Sequence, residues 1–118
     1  GGNQSQGYTY SGSNTIGDVA WYSSNSSYTT HTVGTKAANE LGTFDMSGNV
    51  LEWCWDIYGT YPGGSQTDPH GATSGSYRVL RGGSWYNIAN FCTVSSRLYN
   101  DATASGNVFG FRCVRVSP

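Results

Sequence analysis

The most reactive side chains of this sequence are three thiols, and their placement limits their chemistry. Cys54, Cys92 and Cys113 stand far apart, none at metal-finger spacing, so no zinc site is implied. Their odd number excludes a complete disulfide framework. One bridge, Cys92–Cys113 or Cys54–Cys113, would leave a free thiol; the preferred reading is buried, reduced cysteines that pack as small hydrophobes. His31 and His70 fall in polar stretches without a carboxylate and a nucleophile around them, which reads as solvent-exposed imidazole rather than a catalytic group.

Recognition chemistry is richer. Between Tyr86 and Val108, Tyr86, Phe91 and Tyr99 offer rigid aromatic area at small entropic cost, and the Asn, Ser, Thr and Gly between them offer adaptable hydrogen bonds. Ile88, Leu98 and Val108 belong either to a core or to an exposed apolar cluster ringed by polar groups, which marks an interaction site. Exposure is expected, because the flanking strands already anchor the segment.

Those strands are legible as short runs. Tyr77 to Trp85 (YRVLRGGSW) reads as a strand whose Gly82-Gly83 pair requires a bulge or a close backbone approach. Phe109 to Val116 alternates apolar and polar residues, as a terminal strand does. Asp18 to Tyr22 (DVAWY) fits a buried strand or extended segment. Asn39 to Gly59 keeps no period and reads as a compact knot of turns with one helical turn near Val50 to Trp53. Tyr58 to Ser76, rich in Gly, Pro, Asp and Ser, is a long loop. Residues 1–15 read as a surface arm anchored by its two tyrosines.

With 118 residues there is room for one domain and a modest core. Charged residues are only 11% of the chain, while four Trp and nine Tyr must supply much of the packing. A net charge of -1 with so many aromatics excludes charge-driven disorder. Lys36 and five arginines are too few for a phosphate-binding surface, so no nucleic-acid partner is expected. No apolar run approaches the roughly 20 residues of a membrane span.

The ordered strings NELGTFDMSGNVLEW, DPHG, RVLRGGSW and GFRCVR, spread over Asn39 to Arg115, resemble the formylglycine-generating-enzyme (sulfatase-modifying factor) domain. The upstream part of a usual family domain is absent. The resemblance implies an α+β, C-type-lectin-like fold, loop-rich and poor in regular secondary structure. It also implies one domain over residues 1–118 that forms the C-terminal portion of a longer protein. Trp53, Trp55 and Trp85 become core aromatics, and Arg81 and Arg112 bond loop carbonyls rather than ligands.

Family oxidases bind copper(I) through two cysteines five apart after the Gly-Gly-Ser motif. The matching positions are Asn87 and Cys92, and one thiolate cannot supply two-sulfur coordination. The chain is therefore expected to be non-enzymatic and to require no cofactor. The resemblance further implies a calcium site from the side chains of Asp45 and Glu52 and the carbonyls of Gly48 and Val50, an all-oxygen shell. The alternative is that Asp45 and Glu52 cap turns.

Residues 81–112 also resemble the variable region of proteins diversified by retroelements, in which Asn codons are mutated at their adenines. Ala89, Cys92, Ser95 and Arg97 keep the frame. The positions between them are the implied ligand-binding residues: Tyr86, Asn87, Ile88, Asn90, Phe91, Ser96, Leu98, Tyr99, Asn100, Asp101, Thr103, Ala104, Gly106, Asn107 and Val108. All these types arise from Asn codons by changing adenines. Lys, Glu, Gln, Met and Trp do not, and none occurs from 86 to 110. The expected function is a ligand-binding protein of a diversity-generating retroelement on a cell or virion surface, with a protein, peptide or glycan as partner. The alternative is a non-catalytic structural or accessory domain of the sulfatase-modifying-factor type.

Overall fold

A computed structural model describes residues 2–67 and 69–115 of the chain. Its organising feature is the turn at Ser47, Gly48 and Asn49, all buried. Gly48 (φ 78°) and Asn49 (φ 65°) are both left-handed, which Gly adopts freely and Asn tolerates through local hydrogen bonds. A Cβ at Gly48 would run into the Trp21 backbone. Asn49 then joins three segments: its N–H donates to Trp21 O (2.8 Å), its carbonyl accepts from Trp85 N (2.8 Å), and its side chain exchanges bonds with the backbone of His31 (3.0 and 3.1 Å). This is the expected knot of turns.

The knot ends one residue later, in a strand. Strand β1 (Leu51–Ile57) pairs antiparallel with β2 (Tyr77–Arg81) through Glu52↔Arg81 and Trp53↔Leu80. Strand β3 (Leu98–Asp101) adds antiparallel to β2, with Val79↔Tyr99 and Tyr77↔Asp101. The two-residue β4 (Phe109–Gly110) runs parallel to β1, giving a mixed sheet in the order β3-β2-β1-β4. The helical turn expected at Val50 to Trp53 is thus corrected to strand, because partners distant in sequence supply its ladder. The terminal strand is shorter than expected: β4 stops at Gly110, where the chain turns so that Arg112 can reach Glu52, and residues 111–115 are exposed without regular structure. Val116 lies outside the described residues.

Strand alternation decides the aromatics. Leu51, Trp53 and Trp55 share one face of β1; Leu51 is buried and Trp53 meets Phe109 with ring centres 5.5 Å apart. Trp55, expected in the core, is 87% exposed, since no layer of the described residues covers that end and only the Arg78 guanidinium lies over its ring, at 4.9 Å. Trp85 is buried as expected, with its Nε1 donating to Asn107 O (3.0 Å).

The core is small: Val19, Ala20, Leu51, Val79, Leu80, Trp85 and Cys92, interleaved with buried Ser26, Ser47, Asn49 and Ser84. Ser26 Oγ donates to Trp85 O and Ser47 Oγ to Cys92 O, both at 2.8 Å, as buried hydroxyls require. The buried strand or extended segment expected at Asp18 to Tyr22 is met in part: Asp18 and Val19 belong to the helical turn α1 (Ile16–Val19), and Ala20 after it is extended. It buries Val19 and Ala20 with no sheet edge beside it. His31, expected in solvent, is half-buried with its ring stacked 3.7 Å from that of Trp21, which also meets Lys36 Nζ, 4.1 Å from the ring centre. The arm does lie on the domain: Thr9 O accepts from Val94 N (2.9 Å), and Tyr8 and Tyr10 are half-buried.

Candidate functional site

The chain leaves β2 through Gly82 (φ 89°) and Gly83 (φ 72°). A Cβ on Gly83 would stand 2.6 Å from Cys92 Sγ and 2.8 Å from Phe91 O, so the Gly pair is needed for the close approach that the sequence suggested. From there the frame of the segment is tied down. Ser84 and Trp85 are buried. Asn87 Oδ1 accepts from Ser84 N (2.9 Å) and Ser84 Oγ (2.8 Å), and its carbonyl accepts from Ser23 N (3.0 Å). Cys92 ends the 3-10 turn Ala89–Cys92 with no exposed surface. The Arg81 guanidinium then donates to Val94 O (2.9 Å) and to Ser96 O, in line with its expected role on loop carbonyls. Arg97 Nη2 donates to Gly59 O (2.6 Å), and Leu51 N donates to Val108 O (2.8 Å).

What the frame leaves outside is largely the candidate face. Tyr86 is 63% exposed, Ile88 57%, Phe91 41% and Tyr99 51%. Asn90, Asp101, Thr103, Gly106 and Asn107 are exposed too. Asn87, Ser96, Leu98, Asn100, Ala104 and Val108 are half-buried, which corrects the exposure expected of Leu98 and Val108: the first lies in β3 opposite Leu80, and the carbonyl of the second accepts from Leu51 N. Within that group Asn87 is a turn lock through its side chain. Asp101 accepts from Thr103 N (2.9 Å) and Oγ1 (2.6 Å), bonds that hold its carboxyl below the usual range. The frame serine at 95 departs from the pattern by being exposed, and Val94, which the frame did not single out, is exposed as well.

The outward residues sit in different surroundings. Tyr86 meets Trp85 edge-on at 5.6 Å. The loop after β3 borders a hollow of about 350 Å³ through Ala102, shared with Trp53, Trp55 and Arg78. Tyr99 packs against two further tyrosines, with ring centres 4.2 Å from Tyr58 and 5.1 Å from Tyr77. Sequence reasoning missed Tyr58 and Tyr77 as neighbours of the face; the only signal was the density of tyrosine around the long loop.

The cysteines do not fit a copper(I) pair. Cys92 is sealed, and burial pushes its thiol up to about 11, so the thiolate that would bind metal is disfavoured. The matching Asn87 is an amide already spent on Ser84. Not all the thiols are buried, contrary to expectation: Cys54 is half-buried, with its acidity lowered by desolvation, and Cys113 is exposed on the irregular segment after β4.

The acidic pair does not fit a calcium ion either. Both Glu52 oxygens accept from Arg112 at 2.6 Å, and Arg112 Nη2 also donates to Asp45 O (3.1 Å). A guanidinium thus supplies the positive charge that an ion would bring, and Glu52 in turn raises the Arg112 pKa. Asp45 Oδ2 accepts from Gly34 N (2.7 Å), which is turn capping. Of the two residues expected to lend carbonyls, Gly48 donates its N–H to Gly82 O (2.8 Å), and Val50 packs its side chain against Gly110.

Comparison with known proteins agrees with this architecture. The sulfatase-modifying factor enzyme 1-like domain profile matches residues 1–117. The chain is 36% identical to the chaperone protein LppX of Paenibacillus barcinonensis over 98% of its own length and 44% of LppX. It is 42% identical to the formylglycine-generating enzyme of Streptomyces coelicolor, over 64% of this chain and 26% of that protein. Among solved structures, Treponema denticola variable protein 1 superposes with a TM-score of 0.86 at 39% identity, covering 92% of this chain and 41% of that one. The chain therefore spans less than half the length of these relatives. The fold is of the formylglycine-generating-enzyme type: loop-rich, with little helix and a small mixed sheet.

Proposed function

This chain belongs to the sulfatase-modifying factor enzyme 1-like family, and we propose that it is a ligand-binding member of that family, diversified by a retroelement, with Tyr86 to Val108 as its binding face. One observation carries the reading. In this segment the frame residue Cys92 is sealed and Arg97 is clamped to Gly59 O, whereas Tyr86, Ile88, Phe91 and Tyr99 project large apolar groups into solvent. Exposed apolar groups also occur elsewhere on the domain, Trp55 and Phe111 among them, so it is the contrast of tied frame and outward aromatics within one short segment that supports an interaction site. The likeness to Treponema denticola variable protein 1 supports it.

The ligand is a protein, peptide or glycan, met at a cell or virion surface. The domain is non-catalytic on this reading, because Asn87 replaces the second thiol and the remaining one stays protonated at neutral pH. A second reading, an accessory domain, draws on the likeness to LppX over nearly the whole chain. Coding DNA separates the two. A near-copy of codons 81 to 112 that differs at adenines, beside a reverse-transcriptase gene, is expected; a locus without such a copy would favour the accessory role.

A further inference from the structure

Tyr99 occupies a diversified position between two tyrosines that are not diversified. It lies on β3 opposite Val79, and Tyr77 lies two residues before Val79 on β2, so alternation turns Tyr77, Val79 and Tyr99 to the same face of the sheet. Tyr58 reaches that face from the end of β1, where its N–H donates to Tyr77 O (2.9 Å). The Tyr99 ring is the one that Tyr58 and Tyr77 share, at 4.2 and 5.1 Å and tilted 35° and 47°, distances at which aromatic rings attract.

The Tyr58 ring has a partner besides Tyr99. Arg97 places its guanidinium carbon 4.5 Å from the Tyr58 ring centre and 3.8 Å from that of Tyr61, while donating to Gly59 O. Cation–π contacts and a charge-assisted hydrogen bond thus fasten Tyr58 from the other partner it touches. The backbone of Tyr77 is fixed by its place in the ladder, opposite Asp101, which sets where its ring leaves the sheet.

We propose that residue 99 is a variable filler between two constant aromatic walls, and that a small residue there opens a cleft for one planar aromatic ring of the ligand. With tyrosine at 99, this variant closes the cleft and presents a continuous aromatic platform, in which Tyr77 is 47% and Tyr99 51% exposed. Ser, Asn, Gly and Ala are all reachable from an Asn codon, so the same scaffold alternates between platform and cleft by one codon. The inference rests on the diversified-face reading and names the ligand chemistry that this part of the face would take.

The test uses the full chain and needs no natural ligand. Tyr99→Ser and Tyr99→Asn are titrated with 4-methylphenol, a free copy of the missing ring, while the Tyr58 and Tyr77 ring resonances are followed by NMR. Saturable shifts at both rings are expected in either variant, at least about tenfold tighter than in the parent protein, and lost when Tyr77→Ala is added. Folded variants that take up no 4-methylphenol would overturn the proposal, as would uptake that survives Tyr77→Ala or a preference for methyl galactoside over 4-methylphenol. Because ring uptake is measured on the protein alone, an absent adenine-mutated template would remove the diversification reading and leave this result standing.

Discussion

Trp85 and Tyr86 are neighbours in sequence with opposite expected roles, and replacing each with alanine separates scaffold from binding face. Trp85 is only 9% exposed, and its indole N–H bonds Asn107 O. Deleting a buried indole costs about 3–5 kcal/mol in lost transfer energy and cavity. Tyr86 is 63% exposed. Complete burial of a large apolar side chain is worth roughly 1.5–3 kcal/mol, so the covered third of this ring contributes about 1 kcal/mol or less. For a domain of this size about 1 kcal/mol moves Tm by about 4 °C. Trp85→Ala should therefore lower Tm by about 12–20 °C or abolish folding, and Tyr86→Ala by no more than about 4 °C, as read by calorimetry and by chemical denaturation at one pH. Against a ligand selected for this variant, Tyr86→Ala should in contrast weaken binding by at least about tenfold. Equal destabilisation by the two substitutions would refute the argument, since it would make Tyr86 part of the core.

Cys92 offers a pH-dependent counterpart. Its folded pKa of about 11 lies above that of an exposed thiol. The sign follows: the stability this group contributes is fully present below the unfolded value, near pH 9, and is lost as pH rises towards 11. The Tm of the parent should fall more steeply between pH 9 and 11 than that of Cys92→Ala, and superimposable slopes would show that burial does not govern this thiol. The acidic corner makes a separate prediction. Glu52→Gln, which removes the charge that Arg112 grips with two bonds, should cost about 1–2 kcal/mol in denaturant titrations. Excess EDTA or calcium should leave the parent Tm unchanged; a calcium-dependent rise of several degrees would restore the ion to that corner.

How much of this was legible in the sequence depends on how far apart the interacting residues are. Gly82 and Gly83 announce a close approach because a side chain would run into Met46 O at the first and into Cys92 at the second. Asn49 and Gly48 announce a knot for the same reason, through left-handed backbone. β1 was not legible. LEWCWDI carries no clean period, and it becomes a strand only because Leu80, Arg81 and Phe109, all remote in the chain, supply its partners. Trp55 shows the same limit from the other side: its type says core, but a side chain at the uncovered end of a strand stays in solvent whatever its type.

The proposed binding face repeats this division. The codon-like pattern from 86 to 108 named Tyr86, Ile88, Phe91 and Tyr99, which are exposed, together with Asn87, Ser96, Leu98, Asn100, Ala104 and Val108, which are half-buried. It could not point to Tyr58 and Tyr77, which come to Tyr99 only when β1, β2 and β3 are laid side by side and Arg97 draws Gly59 over the sheet. Any side chain that varies must vary against neighbours that do not. On the proposed reading, the reach of the surface is therefore set as much by Tyr58 and Tyr77 as by the codons that change, and position 99 is where the two sets of residues are in ring contact.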